Sequence, residues 1–204
     1  MRRFATAILL ILLLSPDSPA QQTPLPGATP LPAVAVKVLA LFDQLRAADA
    51  TKGRSAAPHL AFKLTDAEIN EYMRYALKAI PRPGLNSLTV KVFPANYIST
   101  FAVIDFDAVE RWHPGTIPSL LRPILSGKKS ILVDYRISAR NSTFSFSVEK
   151  AWYQDVHLPA FLVEKVIGIV AARQPEKYDT SKPMPIPFGL RTIWTTNHTL
   201  EGQN

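Results

Sequence analysis

The 204-residue chain contains no cysteine, which excludes disulfide scaffolds, thiolate metal sites and thiol nucleophiles. Glycine is scarce, and the eight glycines are too scattered to form a loop that cradles a phosphate or a dinucleotide. The sequence also lacks the G-x-S-x-G motif of serine hydrolases and the H-E-x-x-H motif of zinc proteases. These absences predict a protein that is not an enzyme and holds no cofactor.

Hydrophobic residues are abundant, at 47% of the chain, whereas charged residues make up only 19%. This balance is too apolar for a disordered protein, and the length suits a single domain. The formal net charge is +7, but the basic residues form no long run, so nucleic acid is not an expected partner. A positive charge of this size is compatible with an anionic membrane or another envelope surface.

The first 20 residues have the pattern of a secretory signal peptide. Arg2 and Arg3 precede an uncharged apolar run over 4–14, and the small residues Ser18 and Ala20 occupy the usual positions before a cleavage site. The run is shorter than the roughly 20 residues that a membrane-spanning helix needs. We therefore expect export to the periplasm or the extracellular space after cleavage near Ala20.

Beyond the signal peptide, assigned to 1–20, the mature chain divides into two parts. Residues 21–32 contain four prolines, which predict an extended tether. Residues 33–204 carry mixed helical and strand periodicities without an internal repeat, which predict one α+β domain.

Three segments predict helices because apolar residues recur at steps of three and four: 33–50, 66–80 and 159–173. The second has the clearest start, since Thr65 and Glu68 form a capping box. The third is apolar on nearly every side, so it must be covered on more than one side.

Apolar residues alternate with polar ones in the middle of the chain, which predicts antiparallel hairpins. The expected strands are 88–92, 97–109, 131–139 and 144–148, with a short helix over 116–126 and a last strand within 189–200. The predicted fold class is α+β: a curved antiparallel sheet, made of two hairpins and a C-terminal strand, packed on three or four helices.

One cluster of polar residues could carry chemistry: Asp105, Asp107, Glu110 and His113. Carboxylates with an imidazole suit a divalent metal ion, so a metal-assisted hydrolase is the less favoured alternative. The Glu-x-x-His pattern occurs only once, however, and a solvated strand end that runs into a turn explains the same residues. No metal site is therefore assigned.

Three stretches together carry a family resemblance: 64–70, 144–159 and 185–193. In this order they resemble small exported bacterial proteins allied to the tubular lipid-binding (TULIP-like) superfamily, over about 62–200. The resemblance implies a strongly curved antiparallel sheet that wraps a helix and leaves an apolar groove for lipid. It implies no catalytic residue.

The favoured function is therefore binding of a lipid or other apolar small molecule between a helix and the sheet. The expected lining residues are Ile69, Met73, Leu77, Phe101, Phe144, Phe146, Val163, Ile167 and Val170. A filled three-layer core explains the same apolar residues without a ligand. Another alternative is an envelope interaction module that presents Arg136, Arg140 and Lys150 to a partner.

Overall fold

The computed structural model describes residues 31–50, 59–112, 114–115, 117, 119, 122–172 and 182–204, apart from the side chains of 166 and 168–172. The predicted signal peptide and nearly all of the predicted tether lie outside the described residues. The helices and strands in chain order are α1 (Ala33–Ala50), β1 (Ala61–Thr65), α2 (Asp66–Ala79), β2 (Leu85–Phe93), β3 (Tyr97–Asp105), α3 (Phe106–Trp112), β4 (Lys128–Arg140), β5 (Thr143–Tyr153), β6 (Val156–Leu158), α4 (Ala160–Ala172), β7 (Met184–Pro185), β8 (Thr192–Thr196) and β9 (Thr199–Gln203).

The strands form two antiparallel sheets. The large sheet has the order β2-β3-β4-β5-β6, and β7 pairs with the first residues of β5. The small sheet has the order β1-β9-β8. The predicted class, α+β with antiparallel strands packed on helices, is confirmed. The C-terminal region differs in detail, because it forms a hairpin that pairs with β1 rather than one strand of the large sheet.

The third predicted strand is shorter than expected. It ends at Asp105 instead of Val109, because the Asp105 carboxylate accepts a hydrogen bond from the Ala108 backbone N–H at 2.9 Å and so caps α3. The helix predicted over 116–126 lies partly outside the described residues, and residues 122–124 form a turn.

The helices cover one face of the large sheet, which we call the inner face. Alternate residues of β3 show the two faces plainly: Ile98, Thr100 and Ala102 are buried, whereas Phe101 between them is 41% exposed. The buried residues belong to a main cluster that also takes in α1, α2 and the small sheet. The large sheet is therefore an antiparallel sheet with one packed face and one largely polar face.

Helix α2 is held to both sheets by hydrogen bonds. The Asn70 amide accepts from the Val90 N–H and donates to the Val90 carbonyl, both at 2.7 Å, and so satisfies the free edge of β2. At the start of the helix, the predicted capping box between Thr65 and Glu68 is present. The Asp66 carboxylate there meets the His198 imidazole of the β8–β9 turn at 2.9 Å. These bonds fix both the position of α2 along β2 and the orientation of the helix.

The small sheet is joined to the tip of the β2–β3 hairpin. Asn96, at a φ of 61°, accepts the Ile137 N–H on its carbonyl and the Thr195 N–H on its side-chain oxygen, each at 2.9 Å. The Thr195 hydroxyl donates to the Phe93 carbonyl at 2.6 Å. One turn residue therefore ties β4 and β8 together.

We predict that Gly84→Ala destabilises the fold through a steric clash. Gly84 has a φ of 90°, and a Cβ there would lie 2.3 Å from Val109 Cγ2 and 2.7 Å from the Asp105 carbonyl oxygen. Backbone strain and overpacking together should lower the free energy of unfolding by about 3 kcal/mol in urea denaturation. Gly127→Ala is the control, since it has a φ of 64° and open space around it, and should cost about 1 kcal/mol. Equal losses would contradict the clash.

We also predict an acid-dependent loss of stability that depends on Glu68. The Lys37 ammonium, followed by the Thr65 N–H, lowers the pKa of Glu68 below 4.5. A depressed folded-state pKa stabilises the protein above pH 4.5, and this contribution disappears as the pH falls through the folded-state pKa. The difference in stability between wild type and Glu68→Gln should therefore shrink as the pH falls from 4.5 through the folded-state pKa of Glu68, as measured by thermal melting. Glu71→Gln, on the same helix, is the control; the same pH dependence in both variants would refute the role of Glu68.

Candidate functional site

The apolar interior on the inner face is divided into three clusters. The main cluster lies under α1 and α2. The second, which we call the α4 cluster, is built on buried Val148, Ala151 and Val163. The third, which we call the end cluster, is built on buried Phe106, Ile117 and Tyr153. Partly buried side chains join these clusters, since Ile104 packs on the main and end clusters and Leu158 on the end and α4 clusters.

The three clusters meet along the inner side of β4. Ile131 packs against the end cluster, Val133 against the α4 cluster and Tyr135 against the main cluster. All three side chains are only half-buried, although β4 is the central strand and pairs on both sides. We call this row of three residues the β4 lane; it is about 14 Å long at about 3.4 Å per residue. The chain thus leaves this part of its central strand incompletely covered, whereas Ile137 and Ala139 farther along the same face are buried.

One side of the β4 lane is bordered by α4. Val163 is buried against β5, and Ile167 packs on the same cluster as Val133. The Glu164 carboxylate accepts the Val148 N–H of β5 at 3.1 Å, which holds the helix to the strand. On the outer side of the helix, Phe161 is 70% exposed. The expectation that this helix is covered on more than one side is therefore not met at Phe161.

The polar group of the β4 lane is the Tyr135 hydroxyl. Its oxygen lies 3.3 Å from the hydroxyl of Thr100, a buried residue that is the cross-strand partner of Val133. Desolvation raises the pKa of Tyr135. The phenol therefore stays uncharged at neutral pH, and the lane carries no charge of its own between Ile131 and Tyr135.

The predicted lining residues are distributed over both larger clusters. Phe146 packs against the main cluster and the α4 cluster at once. The other predicted lining residues divide between the two clusters. Ile69, Met73 and Phe144 are buried in the main cluster, and Leu77 packs against it, whereas Val163 and Ile167 belong to the α4 cluster. The side chain of Val170 lies outside the described residues.

Sequence reasoning missed the three residues of the β4 lane as lining residues. The signal was present, because Ile131, Val133 and Tyr135 alternate with polar or outward-facing residues along one strand. A period of two shows which residues share a face but not which of them a helix will cover. The lane could therefore be found only once the positions of α2 and α4 were known.

Phe101 was wrongly expected to line the groove. It pairs with Thr89 and Leu132, and its neighbours Thr100 and Ala102 point to the inner face, so Phe101 lies on the opposite side of the sheet. Side chains on opposite faces of a sheet cannot line one groove.

This placement predicts very different costs for two phenylalanine truncations. Phe144→Ala should lower the free energy of unfolding by about 3–5 kcal/mol, because the ring is buried in the main cluster. Phe101→Ala should cost about 1 kcal/mol or less, because the ring faces solvent. Chemical denaturation of both variants checks the assignment, and similar losses would contradict it.

Two of the three acidic residues considered for metal binding accept backbone hydrogen bonds, and the third, Asp107, is exposed on α3. Asp105 caps α3, and Glu110 accepts the Gly115 and Ile117 N–H groups at 2.9 and 3.0 Å. These backbone bonds, led by the one from Gly115, lower the pKa of Glu110. His113 lies outside the described residues. Within the part of the chain that the structure describes, no group of three or more metal-ligating side chains comes together.

The basic residues predicted to face a partner lie near acidic groups. Arg136 donates to the Ala95 carbonyl at 2.6 Å and to the Glu149 carboxylate at 3.2 Å. Lys150 is the cross-strand neighbour of Asp134. Arg140 is exposed at the end of β4. Two of the three predicted contact residues therefore have a counter-charge within the sheet.

The nearby Tyr97 completes this outer-face network. Its hydroxyl donates to the Asp134 carboxylate at 2.8 Å, and its ring lies 5.6 Å below the Arg136 guanidinium. Desolvation first, and then the bond to Asp134, raise the pKa of Tyr97 to about 12. This group of residues links β3, β4 and β5 on the outer face.

Three comparisons with known proteins bear on this site. No family model matches the chain, and no curated protein matches it. A solved structure titled "Crystal structure of lipopolysaccharide binding protein" is 10% identical, with a TM-score of 0.23. The match covers 91% of this chain but only 46% of that one. So low a score establishes no common fold, and membership of the tubular lipid-binding superfamily stays a prediction. Among the described helices, none has both the length and the apolar character needed to cross a membrane.

Proposed function

We propose that this is an exported, non-enzymatic protein that binds a lipid or other long apolar ligand along the β4 lane. The observation that carries the proposal is the incomplete burial of Ile131, Val133 and Tyr135 on the central strand of a helix-covered sheet. Central strands are ordinarily the most deeply buried part of a sheet. Partial burial there indicates a channel between the elements that flank it.

The spacing of the helices supports a channel. Helix α2 is bonded to β2 through Asn70 and Val90, and α4 is bonded to β5 through Glu164 and Val148. These two strands are three strand spacings apart, or about 14 Å. Helices in direct contact lie only about 8–10 Å apart. Helices placed over these two strands would therefore leave room above β3 and β4 for an extended hydrocarbon chain.

The chemistry of the β4 lane suits such a chain. Ile131 and Val133 offer aliphatic surface, and each methylene moved from water onto such surface contributes about 0.8 kcal/mol. The uncharged Tyr135 hydroxyl, beside Thr100, provides one hydrogen-bonding group within the lane. This pattern selects for apolar length more than for a particular head group, so several amphiphiles should bind.

We predict that Val133→Trp blocks ligand binding by filling the β4 lane. A fluorophore-bearing long-chain fatty acid should bind wild type and be displaced by unlabelled lipids. The indole should weaken fatty-acid binding by about tenfold or more, because forcing the ring and the ligand into the same space costs about 1–3 kcal/mol. Leu132→Trp is the matched control, because that side chain faces the other side of the same strand.

Thermal melting must accompany the binding titrations, since Val133→Trp can also disturb the sheet. Ile131→Trp provides a second obstruction in the β4 lane, two residues away on the same face. Native mass spectrometry of protein purified from its own host should show a bound amphiphile. Folded lane variants that bind the fatty acid as tightly as Leu132→Trp would overturn the proposal, as would a wild-type protein that binds none.

A further inference from the structure

The two ends of the β4 lane differ in chemistry. Beyond Tyr135, the next residues on the inner face of β4 are Ile137 and Ala139, and both are buried in the main cluster. In the other direction, the inner-face residue after Ile131 is Lys129, one position from the start of the strand. A hydrocarbon chain that follows the lane therefore cannot continue past Tyr135 on this face, and its other end reaches a basic side chain.

The pairing of β3 with β4 places Lys129 on the inner face. Its cross-strand partner is Ile104, which packs on the main and end clusters, and the partner of Ile131 on the same face is the buried Ala102. Lys129 itself is half-buried. A lysine in this position covers apolar surface with its aliphatic stem and keeps its ammonium group in water. The stem therefore continues the apolar surface of the lane past Ile131.

The Lys129 ammonium is available to an anion. Among the described residues, no ion pair or hydrogen bond engages it. The nearby carboxylates have other neighbours, since Asp105 caps α3 and is the cross-strand partner of Lys128. Glu110 is paired with Arg122. A cation without a counter-charge at the end of an apolar lane suits the head group of an anionic amphiphile.

The dimensions of the lane indicate a ligand with one chain. The strands that hold α2 and α4 are about 14 Å apart, and helices in contact would take up about 8–10 Å of this distance. About 4–6 Å remains, which is enough for one alkyl chain but not for two side by side. From Tyr135 to Lys129 the strand advances about 20 Å, which an extended chain of about 16 carbons spans.

We propose that the β4 lane takes a single-chain anionic amphiphile, such as a long-chain fatty acid, whose carboxylate pairs with Lys129 and whose tail points towards Tyr135. This assignment rests on the proposed function, because the lane must first hold the tail. A carboxylate placed at the closed end would lose its hydration without a counter-ion, whereas at Lys129 it keeps water and gains one. The tail supplies most of the affinity, and the ion pair supplies the preference for an anionic head group.

Two ligands that share a tail and differ in charge test the role of Lys129. Tetradecanoic acid and tetradecan-1-ol are used to displace the fluorescent fatty acid at about pH 8, where the free acid is ionised. Wild type should bind the acid about tenfold more tightly than the alcohol. Lys129→Gln should remove this preference by weakening acid binding and leave alcohol binding unchanged. Lys129→Arg should restore it, because the charge is kept.

Lys128→Gln is the matched control, because it removes the same charge from the neighbouring residue on the opposite face of β4. It should leave the affinities for both ligands unchanged, and thermal melting shows whether each variant is folded. An equal loss of acid binding in Lys128→Gln and Lys129→Gln would overturn the inference. Equal affinity of wild type for the acid and the alcohol would do so too.

Affinity labelling of wild type tests the orientation of the ligand without any substitution. The N-hydroxysuccinimide ester of tetradecanoic acid acylates a lysine amine: an amide C–N bond forms, the ester C–O bond breaks, N-hydroxysuccinimide leaves and the amine gives a proton to water. Peptide mass spectrometry should find the amide at Lys129 several-fold more often than at Lys128, and excess tetradecanoic acid should suppress it. Equal labelling of the two lysines, or labelling that the free acid does not suppress, would contradict the proposed orientation.

Failure of this inference can be told apart from failure of the proposed function. Wild-type protein that binds neither the acid nor the alcohol overturns the β4 lane as a ligand site, and with it the role of Lys129. Wild-type protein that binds both ligands equally, and loses both in Val133→Trp, keeps the lane and overturns the role of Lys129 alone.

Discussion

The paired hydrogen bonds between the Asn70 amide and the Val90 backbone fix the arrangement on which the candidate site depends. They hold α2 over the free edge strand of the large sheet, so α2 cannot slide towards α4 and cover the centre. A buried backbone group that loses its partner costs about 1–3 kcal/mol, and such a slide would leave two groups of Val90 unpaired. The incomplete burial of β4 is therefore enforced from the far edge of the sheet.

Local signals in the sequence predicted most of the helices and strands. The capping box at Thr65 and Glu68 marks the start of α2 correctly, because it depends on residues only three positions apart. Alternation likewise located β2 to β5. Strand β1 was missed, since its register joins Ala61 to Gln203 and nothing near residue 61 reports a partner so distant in sequence.

The candidate site was less predictable than the fold, and Phe101 shows why. Both faces of β3 are rich in apolar residues at its centre, with Phe101 and Val103 on one side and Ala102 and Ile104 on the other. The choice of face then depends on which side the helices cover, which alternation cannot reveal. The same uncertainty hid the lane, because a half-buried valine and a fully buried valine look alike in a sequence.

The two helices that border the β4 lane are held to the sheets in different ways. Helix α2 lies over the main cluster and is bonded to both sheets, whereas α4 is held by the smaller α4 cluster and by the bond from Val148 to Glu164. Side-chain hydrogen bonds therefore anchor α2 to both sheets and α4 to β5. In the proposed binding mode the β4 lane lies between these two anchored helices, so a bound chain would have to fit a space whose width is set by the strands that hold them.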